Sequence, residues 1–377
     1  MSKPRSIFEE VDAKTAAPTT GGIDQRPKGA RTAIRRWLMV IFALVVLMIA
    51  VGGLTRLTDS GLAITEWKPI TGAVPPLSAE VWQAEFDLYR AIPEYQLQNK
   101  GMSLAEFKVI YWWEWGHRQL GRVIGLVWAV GFFGFLALRQ IPTGWTPRLL
   151  GLGALGGLQG AIGWWMVASG LTGTMLDVAS YRLAVHLGLA FLILGLIAWY
   201  VFLLGRTERD LMAARRINEP ALVRLTGLVL GLTAVQILLG ALVAGIDAGR
   251  TYGDWPLMAG GLLPPGIFEL TPGWRNFFEN AGLVQFNHRV VGYILGIAGI
   301  ILWLCSRKSP HSSTRFTVNL LLAMMFLQIA LGVITVLYGA PLSWAIAHQL
   351  GAVALVVLVL HARFRAAYPV PDKLRKA

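Results

Sequence analysis

Eight stretches of roughly 20 mostly apolar residues, each long enough to cross ~30 Å of hydrocarbon as a helix, run through this 377-residue chain. They begin near Trp37, Arg118, Leu149, Arg182, Leu222, Gly282, Phe316 and Ser343. A chain with 55% hydrophobic and only 15% charged residues is too apolar for an ordinary soluble globule and reads as an integral membrane protein. More than thirty residues, mostly polar, precede the first span, so that span reads as a membrane helix and not as a cleaved leader.

The net charge of +13 would suit nucleic acid only if the basic residues formed one patch. They fall instead between the spans, so no nucleic-acid partner is expected. Eight lie before or at the start of the first helix (Lys3, Arg5, Lys14, Arg26, Lys28, Arg31, Arg35, Arg36). Later clusters are Arg139/Arg148, Arg206/Arg209/Arg215/Arg216, Arg307/Lys308/Arg315 and Arg363/Arg365/Lys373/Arg375/Lys376. In an eight-crossing chain all five groups share one side, and the positive-inside rule places both termini in the cytoplasm. The opposite side carries two long loops. Residues 58–116 hold eight acids and four bases, and residues 246–281 four acids and two bases. Both are rich in Pro, Gly and Trp, which predicts ordered caps with short helices such as Ser78–Arg90. The single cysteine, Cys305, excludes an internal disulfide or a Cys-based zinc site.

The chain repeats itself. "EWGHRQLGRVIGL" resembles "QFNHRVVGYILGI", "LAVHLGLAFLIL" resembles "AIAHQLGAVALVV", and "LQGAIGWWMVASGL" resembles "LQIALGVITVLYGA". A duplicated unit of four helices keeps the same membrane orientation in both copies. The predicted fold is therefore an all-α membrane protein: two repeated four-helix bundles related by a pseudo-twofold along the membrane normal. Its parts are a flexible cytoplasmic tail (1–35), a first bundle (36–205), a cytoplasmic linker (206–221), a second bundle (222–363) and a cytoplasmic tail (364–377).

Four of the six histidines, His117, His186, His288 and His348, occupy corresponding places in this repeat, near the outer ends of the even-numbered helices. Histidine inside a membrane is costly, and a packing role would explain one such residue better than four at matched depth. The arrangement points to two bis-imidazole metal sites, one per bundle. Two imidazoles without a third His, Cys or carboxylate fall short of a closed zinc site, whereas heme iron needs only axial ligands. Gly116, Gly121, Gly125, Gly188, Gly292, Gly296 and Gly351 give a flat macrocycle room, although close helix packing accounts for small residues equally well. Arg118, Arg122, Arg182 and Arg289 stand at the rim, either to pair with heme propionates or simply to snorkel. His311 and His361 have no partner in the repeat and are read as non-functional.

The halves differ in their acids. Glu114 and Glu66 of the first half are replaced by Gln285 and Asp254 in the second. A carboxylate beside a heme edge can take protons, which makes the first half the more reactive one; alternatively both glutamates are solvated loop acids.

With "GLAITEWKPITGAVPPLS", "EFKVIYWWEWGHRQLGR", "FNHRVVGY" and "AHQLGA" on eight helices, residues 35–365 closely resemble the heme A synthases of mitochondria and alphaproteobacteria. The resemblance implies oxidation of the C8 methyl of heme O by two successive hydroxylations, with loss of water from the gem-diol to leave the formyl group of heme A. It implies a resident heme b on His288 and His348, with Arg289 beside it. It likewise implies the substrate heme O on His117 and His186, and a catalytic role for Glu66. Heme O synthase, an electron-transfer partner and a second copy of the chain are the candidate protein partners. The expected location is the bacterial inner membrane, with the histidine sites toward the periplasm. Many bacterial relatives carry a cysteine pair in the first long loop, and its absence excludes thiol chemistry there. Ligating imidazoles are neutral, so heme binding is expected to weaken below a pH of about 6.5. Two alternatives remain at this level: a diheme electron-transfer cytochrome and, more weakly, a parallel-repeat transporter.

Overall fold

A computed structural model describes residues 28–372. Its eight long helices are α1 (Lys28–Leu57), α2 (Leu104–Ala137), α3 (Thr146–Val167), α4 (Ser180–Leu204), α5 (Pro220–Gly245), α6 (Ala281–Ser306), α7 (Ser312–Leu337) and α8 (Leu342–Ala367). Each is long and apolar enough to cross a membrane. Helix is the secondary structure that satisfies its own backbone in lipid, and the described residues contain no strand. The chain is a multi-pass all-α membrane protein. The expected tail over residues 1–35 lies mostly outside the described residues.

Within residues 28–204, α1 packs on α2 and α4, and α3 on α2 and α4; within residues 220–367, α5 packs on α6 and α8, and α7 on α6 and α8. The two sets meet through α4 on α5, α1 on α8 and α4 on α8. Ile34, Leu38, Ile41, Val45 and Ile49 recur every three or four residues along α1 and form one buried stripe against this centre. Gln349 on α8 spans the halves by donating to the Ile49 carbonyl at 2.6 Å.

The helices depart from expectation in several places, α1 starting at Lys28, ahead of the expected Trp37. α2 starts at Leu104, well before the expected Arg118, because Ser103 and Glu106 form a reciprocal capping box and the extra turns pack Phe107 and Tyr111 into the first loop. That loop builds its own core from Trp82, Phe86, Tyr89 and Tyr95, with Ser78 capping the helix Ala79–Arg90. The linker contains a helix, Glu208–Arg215, whose Leu211 and Ala214 pack on Phe364 and Tyr368. This contact carries α8 past the expected end of the bundle. Arg206 donates to the Tyr368 carbonyl at 2.7 Å, and Asp372 accepts from Ser312.

Candidate functional site

The four histidines lie on α2, α4, α6 and α8, and each ring rests against a glycine of the helix that precedes it. A Cβ placed on Gly52 would stand 3.0 Å from Cε1 of His117; on Gly163, 2.9 Å from His186; on Gly240, 3.0 Å from His288; on Gly332, 3.0 Å from His348. The ring projects away from its own helix, so the neighbouring backbone is what has to recede. For that reason the seven glycines singled out on the histidine-bearing helices do not form the ring-side cradle. Gly116 and Gly125 face open space, whereas Gly121, Gly188, Gly292, Gly296 and Gly351 lie where a Cβ would meet Met48, Leu238, Gln236, Ile329 and Gln328, and so serve close helix packing.

His288 and His348 face each other with ring centres 6.4 Å apart and planes at 80°. An imidazole nitrogen sits ~2 Å from a bound metal, with the ring centre ~1 Å further on. Two axial imidazoles therefore place their centres ~6 Å apart, and this pair fits a heme iron between them. His117 and His186 lie within electrostatic range of one another. Among the described residues no three His, Cys, Asp or Glu gather into a cage, so each histidine pair offers two imidazole donors and no more. His311 sits at the start of α7, and His361 packs on Phe202 and accepts from Arg365; neither belongs to these pairs.

Around each pair the loops are pinned by arginine. Arg118 donates to the carbonyls of Ile64 (2.7 Å) and Glu66 (3.0 Å), and Arg289 to those of Tyr252 (3.1 Å), Asp254 (2.9 Å) and Leu257 (3.0 Å). Arg122 holds the carbonyls of Lys68 and Pro69, and Arg182 that of Trp165. Arg118, Arg122 and Arg289 thus fasten the caps to the helices, and Arg182 joins α4 to the end of α3. The Nε atoms of Arg182 and Arg289 remain buried without a partner.

Glu114 is fully enclosed. It accepts from the Ile64 N–H at 2.7 Å and from Arg118 at 2.6 Å, so its carboxylate is committed to holding the first loop. Gln285 does related work in the second half by donating to the Tyr252 carbonyl. Glu66 is different: its carboxylate is 48% exposed and paired with Lys68 at 2.6 Å. That contact holds the Lys68 ammonium above its ordinary range, with burial opposing it and Glu85 assisting. Asp254, the second-half counterpart, caps the backbone N–H groups of Ala259 and Gly260, which hold it below the ordinary carboxylate range. The structure faces His288 and His348 ring to ring and brings His117 and His186 within electrostatic range, and it does not join Glu66 to His117 or His186 by any hydrogen bond or ion pair.

Sequence reasoning missed the ring-side glycines and the residue one turn before each. The signal was present on all four odd-numbered helices as "LMIAVG", "LQGAIG", "VQILLG" and "LQIALG", ending at Gly52, Gly163, Gly240 and Gly332.

Residues 35–360 match the model of a family described as cytochrome oxidase assembly protein. A heme A synthase of Dinoroseobacter shibae is 68% identical over 381 residues, covering 100% of both chains. One from Ruegeria pomeroyi is 63% identical with 100% of both covered, and one from Paracoccus denitrificans 59% identical with 98% of both covered.

Proposed function

This chain belongs to the heme A synthase family, and on that premise we propose how its two histidine pairs share the work. The protein is an oxidoreductase that converts heme O to heme A for cytochrome oxidase. In our reading His288 and His348 hold a resident heme b, while His117 and His186 hold the substrate. The methyl group is oxidised there by successive hydroxylations. The observation that carries this reading is the pair of facing imidazoles 6.4 Å apart, each braced on a glycine as are His117 and His186.

The resident heme supplies electron transfer when bound. The chain's residues do the rest. Each ligating imidazole presents a neutral nitrogen lone pair, and its glycine fixes how near the next helix stands. Arg118 and Arg289 hold the caps over the two sites and restrict water, and the unpartnered Nε of Arg289 supports a role for that side chain toward a heme carboxylate. Glu66 is the candidate proton acceptor, since its carboxylate is not spent on backbone as that of Asp254 is, nor enclosed like that of Glu114. The matching neighbour sets of the two halves support a duplicated four-helix unit. The distribution of basic residues supports cytoplasmic termini in a bacterial inner membrane, with both pairs toward the periplasm.

The test is heme extraction from the purified protein produced with a supply of heme O. Heme A or a hydroxylated precursor is expected beside heme b. His288→Ala should remove heme b, whereas His117→Ala should abolish conversion and retain heme b. Equal depletion by both would overturn the division of labour, and heme b alone, at two per chain without turnover, would favour an electron carrier. Glu66→Ala is expected to keep heme b and stall oxidation; full activity would return Glu66 to the solvated loop.

A further inference from the structure

The residue one turn before each ring-side glycine is Gln159 on α3, Gln236 on α5 and Gln328 on α7, but Met48 on α1. The three glutamines repeat one geometry. Each Nε2 donates to the backbone carbonyl of the histidine that the adjacent glycine faces: His186 at 3.0 Å, His288 at 2.9 Å and His348 at 2.8 Å. The same Nε2 lies 3.2 Å from Nδ1 of His186 and of His348, and 3.3 Å from Nε2 of His288. A carbonyl only accepts, so it determines which end of the amide is nitrogen. The other end, Oε1, is buried and without a partner in all three.

The end of each amide that faces the ring is therefore the donor. Partners outside the ligand itself orient a metal-binding histidine, and here the hold is on the histidine's own carbonyl. The glutamine amide is the polar group beside each of these three rings. At the fourth corner the thioether of Met48 occupies the place, its methyl 3.6 Å from where a Cβ on Gly121 would stand, as the Gln236 amide is 3.2 Å from the matching point on Gly292. A thioether cannot donate to a carbonyl and accepts only weakly. Nδ1 is buried and unpartnered in both His117 and His288, so what distinguishes the Met48 corner is the missing bond to the histidine carbonyl.

We propose that Gln159, Gln236 and Gln328 are positioning residues that orient three of the four imidazoles by holding the histidine's backbone carbonyl, and that Met48 leaves His117 as the exchangeable ligand. This rests on the assignment of the pairs given above. The half that keeps its heme then has a glutamine at both corners, and the half that must admit substrate and release product has one corner left loose.

The test exchanges the corners and reads ligation, not turnover. Protein carrying hemes b and O is mixed with apomyoglobin, and release of each heme is followed with the low-spin spectrum and midpoint potential. Outer-shell partners of metal-bound histidine are worth about 10- to 100-fold in affinity. Met48→Gln is expected to slow release of heme O by about 10-fold or more, with heme b unchanged. Gln236→Met and Gln328→Met should speed release of heme b and raise its high-spin fraction. Gln328→Glu, whose carboxylate cannot donate to the carbonyl, should behave as Gln328→Met. Unchanged release in Met48→Gln overturns the loose corner, and parental release and spectrum in Gln328→Glu overturn the donor role. An error in assigning the pairs would show separately, in the heme content of the His117 and His288 variants.

Discussion

A methyl group on Gly240 or Gly332 would stand 3.0 Å from a histidine ring, closer than such contacts normally lie. The ring, held on its other side by its own helix, would have to turn. Gly240→Ala and Gly332→Ala should therefore lower the ratio of heme b to protein severalfold, while Gly134→Ala, at an exposed site with open space around it, should not. Pyridine hemochrome quantification checks this, and an unchanged ratio in both ring-side variants would remove the glycines from the site. Glycine otherwise weakens a helix interior by ~1 kcal/mol relative to alanine, so its presence here has to be explained by the neighbour it admits. Glu114 carries a related lesson. Its position next to a ligand suggested chemistry, yet its oxygens are occupied by Ile64 and Arg118.

The first loop is a folded element in its own right, and a buried acid lies in it. Glu94 is 3% exposed, one of its oxygens has no partner, and the other accepts weakly from Asn99. Burial pushes its carboxyl up to about 8, helped by the charges of Asp177, Asp59 and Glu114. Below the ordinary carboxylate value of 4.5 both folded and unfolded chains hold the proton. Between 4.5 and about 8 the unfolded chain releases it and the folded loop does not, so stability falls as pH rises through this window. The slope is at most about 1.4 kcal/mol per pH unit. Glu94→Gln should flatten that dependence and raise the unfolding temperature at pH 8 more than at pH 5. Thermal unfolding in detergent at the two values checks it, and an equal gain at both would place the cost elsewhere than in ionisation.

Across the whole molecule, the loop end of the bundle is joined by one cation. Arg56, at the end of α1, pairs with Asp59, with Asp177 before α4 and, at 3.0 Å, with Asp247 after α5. It thereby ties the first half to the second. Arg56→Met should leave Asp59 and Asp177 uncompensated, and Asp247 with only Arg250 at 3.9 Å, and cost about 1–2 kcal/mol, the acids being more than a third exposed. The deficit, measured by thermal unfolding, should shrink in high salt as the repulsion is screened; insensitivity to salt would argue for lost packing instead. The eight spans were legible in the sequence because length and apolarity are local properties on which the membrane acts directly. The four histidines were legible through the internal repeat, and the family through its motifs. Glu114 closing on Ile64 fifty residues away, Gln349 reaching Ile49 three hundred residues away, and each ring finding its glycine were decided only by the tertiary structure. The physical reason is that hydrophobic length specifies that a helix forms, whereas the partner of a buried polar group depends on which helix comes to lie beside it.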